Sequence, residues 1–103
     1  MDDIPAAGNP NRCPTHPGEL LREDVIPATG RTKTEIARLL GISRQHLHDI
    51  LEEKKPVSAS VAIRLGKMFG DGGGIWWRMQ GAYDLWHAKR SVDTSNIPTI
   101  KAA

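Results

Sequence analysis

The chain has 103 residues, enough for one domain with a modest core and no second one. With 14 Lys and Arg against 12 Asp and Glu, its formal charge of +2 permits a nucleic-acid partner but argues against nonspecific coating of a polyanion. Its single cysteine, Cys13, excludes an internal disulfide; no apolar run approaches the ~20 residues of a membrane span, and the acidic start is not a signal peptide, so a cytoplasmic protein is expected.

In chain order, residues 1–14 carry Pro, Gly and Asn with few apolar groups and predict a flexible arm. His16-Pro17-Gly18-Glu19 opens a helix bearing Leu20, Leu21, Val25 and Ile26, which Pro27 is expected to stop. Thr32 and Glu35 form a capping box for a second helix with the stripe Ile36, Ala37 and Leu40. Gly41 suits a left-handed helix exit, and Ser43 is a good N-cap for a third helix that buries Leu47, Ile50 and Leu51. After a connector at Lys54-Lys55-Pro56-Val57, Ser58 caps a fourth helix with Val61, Ala62, Leu65, Met68 and Phe69 inside. Asp71-Gly72-Gly73-Gly74 reads as a flexible link to a fifth helix over about residues 75–88, and a polar tail follows over 91–103. The expected organisation is therefore all-α: an arm (1–14), a five-helix domain (15–90) and a tail (91–103).

The second and third helices, joined at Gly41-Ile42-Ser43, have the spacing of a helix-turn-helix unit, whose second helix enters the major groove. The alternative is an ordinary helical hairpin. At about 100° per residue, Gln45, Asp49 and Glu52 point away from the buried stripe, with Arg44 and His48 flanking them. Arg44 suits guanine O6 and N7, and Gln45 suits adenine N6 and N7. Asp49 can accept from cytosine N4 or pin a neighbouring side chain, and His46 lies nearer the core flank, suited to backbone contact or packing. Lys33 and Thr34 open the preceding helix, where free N–H groups suit a phosphate; Lys54 and Lys55 can reach another. Without Glu52 and with the Ser43 cap, the candidate DNA-binding set is ten residues: Lys33, Thr34, Ser43, Arg44, Gln45, His46, His48, Asp49, Lys54 and Lys55.

The fifth helix is apolar on two opposed faces. Trp76, Met79, Tyr83 and Trp86 form the expected core side, and Trp77, Gly81, Leu85 and Ala88 a second stripe. In so small a chain the simplest cover for that stripe is another copy, so a two-fold homodimer is expected, with recognition helices about 34 Å apart over an inverted repeat. Otherwise Trp77 folds back on the tail or stays exposed.

From His16 to Ala88 the chain resembles the HigA family of antitoxins, which are Xre-type, lambda-repressor-like helix-turn-helix proteins. The resemblance rests on His16-Pro17-Gly18-Glu19-x-Leu21, Thr34-Glu35-x-Ala37 and Leu40-Gly41-Ile42-Ser43-Arg44. It continues through Ala62-x-Arg64-Leu65, Trp76, Gln80 and Ala82-Tyr83-Asp84-Leu85-Trp86. It implies an antitoxin that binds a HigB-like, mRNA-cleaving toxin and represses its own operon. Two departures stand out. Glu52-Glu53 replaces the family's usual Asn-Gly, removing a favoured left-handed exit, and Gly72-Gly73-Gly74 replaces a tighter start to the fifth helix.

Catalysis finds little support. His46 and His48 are two apart and share no helix face, and Cys13-x-x-His16 lacks the further ligands that zinc needs. Neither a cofactor nor a metal is expected. Three readings remain: an operator-binding antitoxin, a stand-alone phage- or plasmid-type repressor, and an interaction module that has lost DNA binding, for which Glu52 and Glu53 are the main argument.

Overall fold

The structure, a computed structural model, describes residues 11–101, and among these every regular element is helical. Helix α1 (residues 17–29) is followed by α2 (Lys33–Leu40), α3 (Arg44–Leu51), α4 (Ala59–Phe69) and α5 (Gly74–Ser91). Of the arm expected over 1–14, residues 1–10 lie outside the described residues.

Side-chain caps begin α1 to α4. The Oγ atoms of Thr32, Ser43 and Ser58 accept from the N–H groups of Glu35, His46 and Val61, satisfying donors that a helix start leaves free. Only half of the capping box at α2 closes, because Glu35 turns its carboxylate to Arg31 at 2.6 Å. At α1 the cap is His16, whose Nδ1 accepts from Gly18 N–H at 2.9 Å. Pro17 occupies the first helical position, where no donor is needed. Gly18 is required by packing: a Cβ there would overlap the Ile50 carbonyl of α3.

Pro27 does not stop α1. The helix runs on to Thr29 and ends at left-handed Gly30. Just ahead of the proline, Leu21–Val25 form one wide π turn, in which Ile26 N–H reaches the Leu21 carbonyl. Widening that turn displaces the carbonyl that would collide with the proline ring, so the helix passes through.

The core is one cluster in which Leu21 and Ile26 of α1 meet Ile36, Ala37 and Leu40 of α2, and Leu47, Ile50 and Leu51 of α3. Val57, Val61, Ala62, Leu65 and Trp76 close it from the α4–α5 side. The glycine link is also tighter than expected. Asp71 bonds Gly73 N–H through one oxygen and the Trp76 indole N–H through the other, both at 2.9 Å. Gly73, at φ 93°, lies against α4 so closely that a Cβ on Gly66 would strike its backbone. This built turn starts α5 at Gly74, and the helix continues three residues beyond the expected Ala88.

Candidate nucleic-acid interface

Three devices set the direction of α3. At the corner, α2 ends with Gly41 at φ 77°, and Gly41 and Ile42 return N–H bonds to Arg38 and Ala37. Arg64 of α4 reaches over this corner and donates to the Leu40 carbonyl at 2.8 Å. At the far end, Arg22 of α1 donates to the Leu51 carbonyl at 2.6 Å. Cations suit helix C-termini, where carbonyls lack intrahelical partners.

The exit from α3 corrects the expectation drawn from Glu52-Glu53. Glu53 takes the left-handed conformation itself, at φ 62°. Lys54 N–H returns to the Asp49 carbonyl and Glu53 N–H to that of Ile50, the pair of bonds that closes a Schellman motif. The Glu53 carboxylate is drawn toward Arg22 at 3.4 Å, so this charge serves the clamp on α3.

The outer face of α3 and the start of α2 form an open groove of about 530 Å³ lined by Lys33, Thr34, Arg44, Gln45 and His48, with Leu47 and Leu51 at its floor. Five of the sequence-derived DNA-binding residues thus converge. Lys33, Thr34, Arg44, Gln45 and His48 are all exposed. By helix geometry the N–H groups of Lys33 and Thr34 lack intrahelical acceptors, as do those of Arg44 and Gln45, so two helix starts present donors at one opening. Gln45 Nε2 donates to Asp49 Oδ1 at 2.9 Å, which leaves the second amide hydrogen and the amide oxygen for a base edge. Asp49 therefore orients Gln45.

The other five, Asp49 among them, lie outside that lining. Ser43 spends its hydroxyl on the helix cap. His46 is half-buried on the flank. Lys54 and Lys55 stand exposed past the C-terminus of α3, their N–H groups tied to Asp49. Sequence reasoning missed the supporting residues Arg22 and Arg64. Their acceptors are 29 and 24 residues away, so no local pattern announces them.

Behind the interface, α5 is tied to the connector between α3 and α4 through Gln80, which accepts from Val57 N–H at 2.8 Å and donates to Asp84 of its own helix at 2.9 Å. Trp76 is buried, whereas Trp77 and Leu85 on the opposite face are each 56% exposed. Among the described residues, no three His, Cys, Asp or Glu side chains are grouped to hold a metal, and Cys13 faces His87 at 3.6 Å. No helix among them is long and apolar enough to cross a membrane.

These features define the class: a helix-turn-helix protein with an open, donor-rich face on its second unit helix. No protein-family model matches the chain, but individual proteins do. It is 35% identical over 94 residues to virulence-associated protein I of Dichelobacter nodosus, spanning 91% of this chain and 86% of that one. The Pseudomonas aeruginosa antitoxin HigA, solved with the higBA promoter, is similar at 32% identity and a TM-score of 0.74, covering 85% of this chain and 96% of that one. Antitoxin GraA in complex with its operator is similar at 32% identity and a TM-score of 0.73, over 87% and 91% of the two chains. The chain belongs to the HigA family of Xre-type antitoxins.

Proposed function

We propose that this chain is the antitoxin of a toxin–antitoxin pair: residues 15–90 form the domain that binds an inverted repeat upstream of its own operon, and the same protein neutralises a HigB-like, mRNA-cleaving toxin. The observation that carries the DNA half is the groove where Lys33, Thr34, Arg44, Gln45 and His48 meet at two helix starts. Arg44 and Gln45 read base edges, Asp49 holds Gln45, and Lys33 and Thr34 hold a phosphate, with Ser43, His46, Lys54 and Lys55 at the margins. Relatives solved on a promoter and an operator support this reading. Its action is binding, not catalysis, and its setting the cytoplasm.

The protein acts as a homodimer through Trp77, Gly81, Leu85 and Ala88. The support is the exposure of two large apolar side chains on one face of α5, which water disfavours.

A gel shift with the upstream region tests the DNA face. Replacing Arg44 and Gln45 together by Ala should weaken operator binding by about 2–6 kcal/mol, at 1–3 per good bidentate contact. Unchanged affinity rejects the assignment. Co-purification with the product of the adjacent gene tests the toxin half; a chain that represses its promoter with no such partner is a stand-alone repressor.

A further inference from the structure

From Lys89 onward every described residue is exposed, yet the segment after α5 has a defined shape. Asp93 Oδ1 accepts from Ser95 N–H, and Ile97 N–H returns to the Thr94 carbonyl, both at 2.9 Å. A polar turn is thus built between two apolar points, Val92 at 58% and Ile97 at 67% exposure, with Ile100 beyond. Among the described residues, nothing buries these side chains. At the other end of α5, Ala59 and Ile63 of α4, the backbone of Gly72–Gly74, and Trp77 border a shallow, open apolar hollow of about 310 Å³. Ile63 stands over it, 64% exposed.

The segment does not serve its own hollow. Trp77 and Ser91 are separated along α5 by roughly 21 Å at about 1.5 Å per residue. The turn holds Ile97 within about 7 Å of Thr94, so Ile97 stays at the far end. A second copy brings the two together. The near half of α5 is flanked by α4 and carries the hollow, whereas farther along the same stripe Leu85 stands 56% exposed, the opposite side of that far half holding Trp86 against His87 and His87 near Cys13. Antiparallel pairing lays each far half on the other copy's flanked half; parallel pairing leaves hollow facing hollow. With the two-fold axis midway along the Trp77–Ala88 stripe, Val92 falls opposite Gly73 and Gly74 of the second copy.

We propose that residues 92–100 are an exchange arm that seats Val92 and Ile97 in the hollow between Ile63 and Trp77 of the second copy. This rests on the dimer reading above and deepens it. The arm lengthens the interface beyond α5 and makes each copy complete the other's α4–α5 surface.

The test uses the full chain carrying Cys13→Ser. Single-cysteine variants Ile63→Cys and Ile97→Cys are mixed, oxidised mildly and run on a non-reducing gel, while sedimentation of the reduced mixture reports the oligomeric state. The expected result is a reduced dimer and a 63-to-97 bridge between copies, lost when Trp77→Asp is added. A reduced dimer without that bridge overturns the arm and leaves the dimer standing. So does a double variant that bridges only within one copy. A reduced monomer overturns the dimer reading and the arm with it. Independently, Ile97→Asp should weaken the dimer by about tenfold or more, the worth of one buried aliphatic side chain; an unchanged dissociation constant counts against the arm.

Discussion

The outer faces of α3 and α5 are both exposed, for opposite reasons. On α3 the exposed residues are Arg44, Gln45 and His48, which water solvates well, and the helix is fixed from behind by Arg22, Arg64 and the Gly18 contact. On α5 the exposed residues are Trp77 and Leu85, which water does not favour, and no clamp from the rest of the chain crosses that face among the described bonds. A face that meets a hydrated, charged partner can stand open in the free protein at little cost. A face of indole and aliphatic carbon stands open only at a cost that a matching apolar surface removes. The contrast supports the two proposed partners: DNA for α3, and a second copy of the chain for α5.

The largest expected effect comes from breaking the support of α3. Gly18→Ala puts a methyl where the Ile50 carbonyl lies, and neither backbone can yield without moving a whole helix. A loss of about 3 kcal/mol is expected, at the upper end of overpacking costs. Urea unfolding reads it directly, and a wild-type midpoint would show that α1 and α3 are not in contact there. On the other face, Trp77→Asp should yield a monomer by sedimentation with weaker operator binding, while the helical signal and melting stay near wild type. A variant that remains dimeric removes Trp77 from the interface.

Much of this contrast is legible from the sequence, because it is local. Thr32, Ser43 and Ser58 each cap the helix they precede, since capping depends only on a hydroxyl and the next three residues. The buried stripes of α2 and α3 follow from helix period. What the sequence hides depends on distant or cooperative contacts. Pro27 looked like a terminator because the proline rule is local, and a single π turn ahead of it changes the outcome. The glycines after Asp71 looked loose because the carboxylate that organises them does so partly through the Trp76 indole, set in place by the core. Of the site itself, the groove residues were legible from the turn geometry, whereas the arginines that steady it were not.

A subtler effect sharpens the account of how α3 is held. His16 is buried beside Tyr83, with ring centroids 4.8 Å apart, and its pKa lies below the ordinary histidine value. Burial lowers it most, and the negative charges of Glu53, Asp84 and Glu19 partly offset that. Only a neutral ring can accept the Gly18 N–H at Nδ1. Because the folded value is depressed, the unfolded chain binds the proton first. The contribution is therefore full above about pH 6.5 and is lost as the pH falls through that value toward the folded one. Thermal melts between pH 7 and 5 should drop more steeply for the wild type than for His16→Asn, which keeps a capping oxygen but does not titrate. Parallel slopes would mean that His16 is not the group responsible.

The smallest effect concerns the exit from α3, and its sign is the informative part. Glu53 sits at φ 62°, where a Cβ crowds its own carbonyl, at a cost of about 1–2 kcal/mol for an ordinary residue. Glycine removes that cost, but it adds about 0.4–1 kcal/mol of unfolded-chain entropy to be lost on folding. It also forfeits the 3.4 Å approach to Arg22, a long and partly exposed pair of little worth. Glu53→Gly should therefore stabilise the protein by about 1 kcal/mol or less, seen as a higher urea midpoint with an unchanged slope. It should also remove a carboxylate from beside the C-terminus of α3, so operator affinity should hold or rise, most clearly at low salt. A destabilised variant would instead mean that the Glu53–Arg22 approach, acting through the Leu51 carbonyl, contributes more to holding α3 than the left-handed backbone costs.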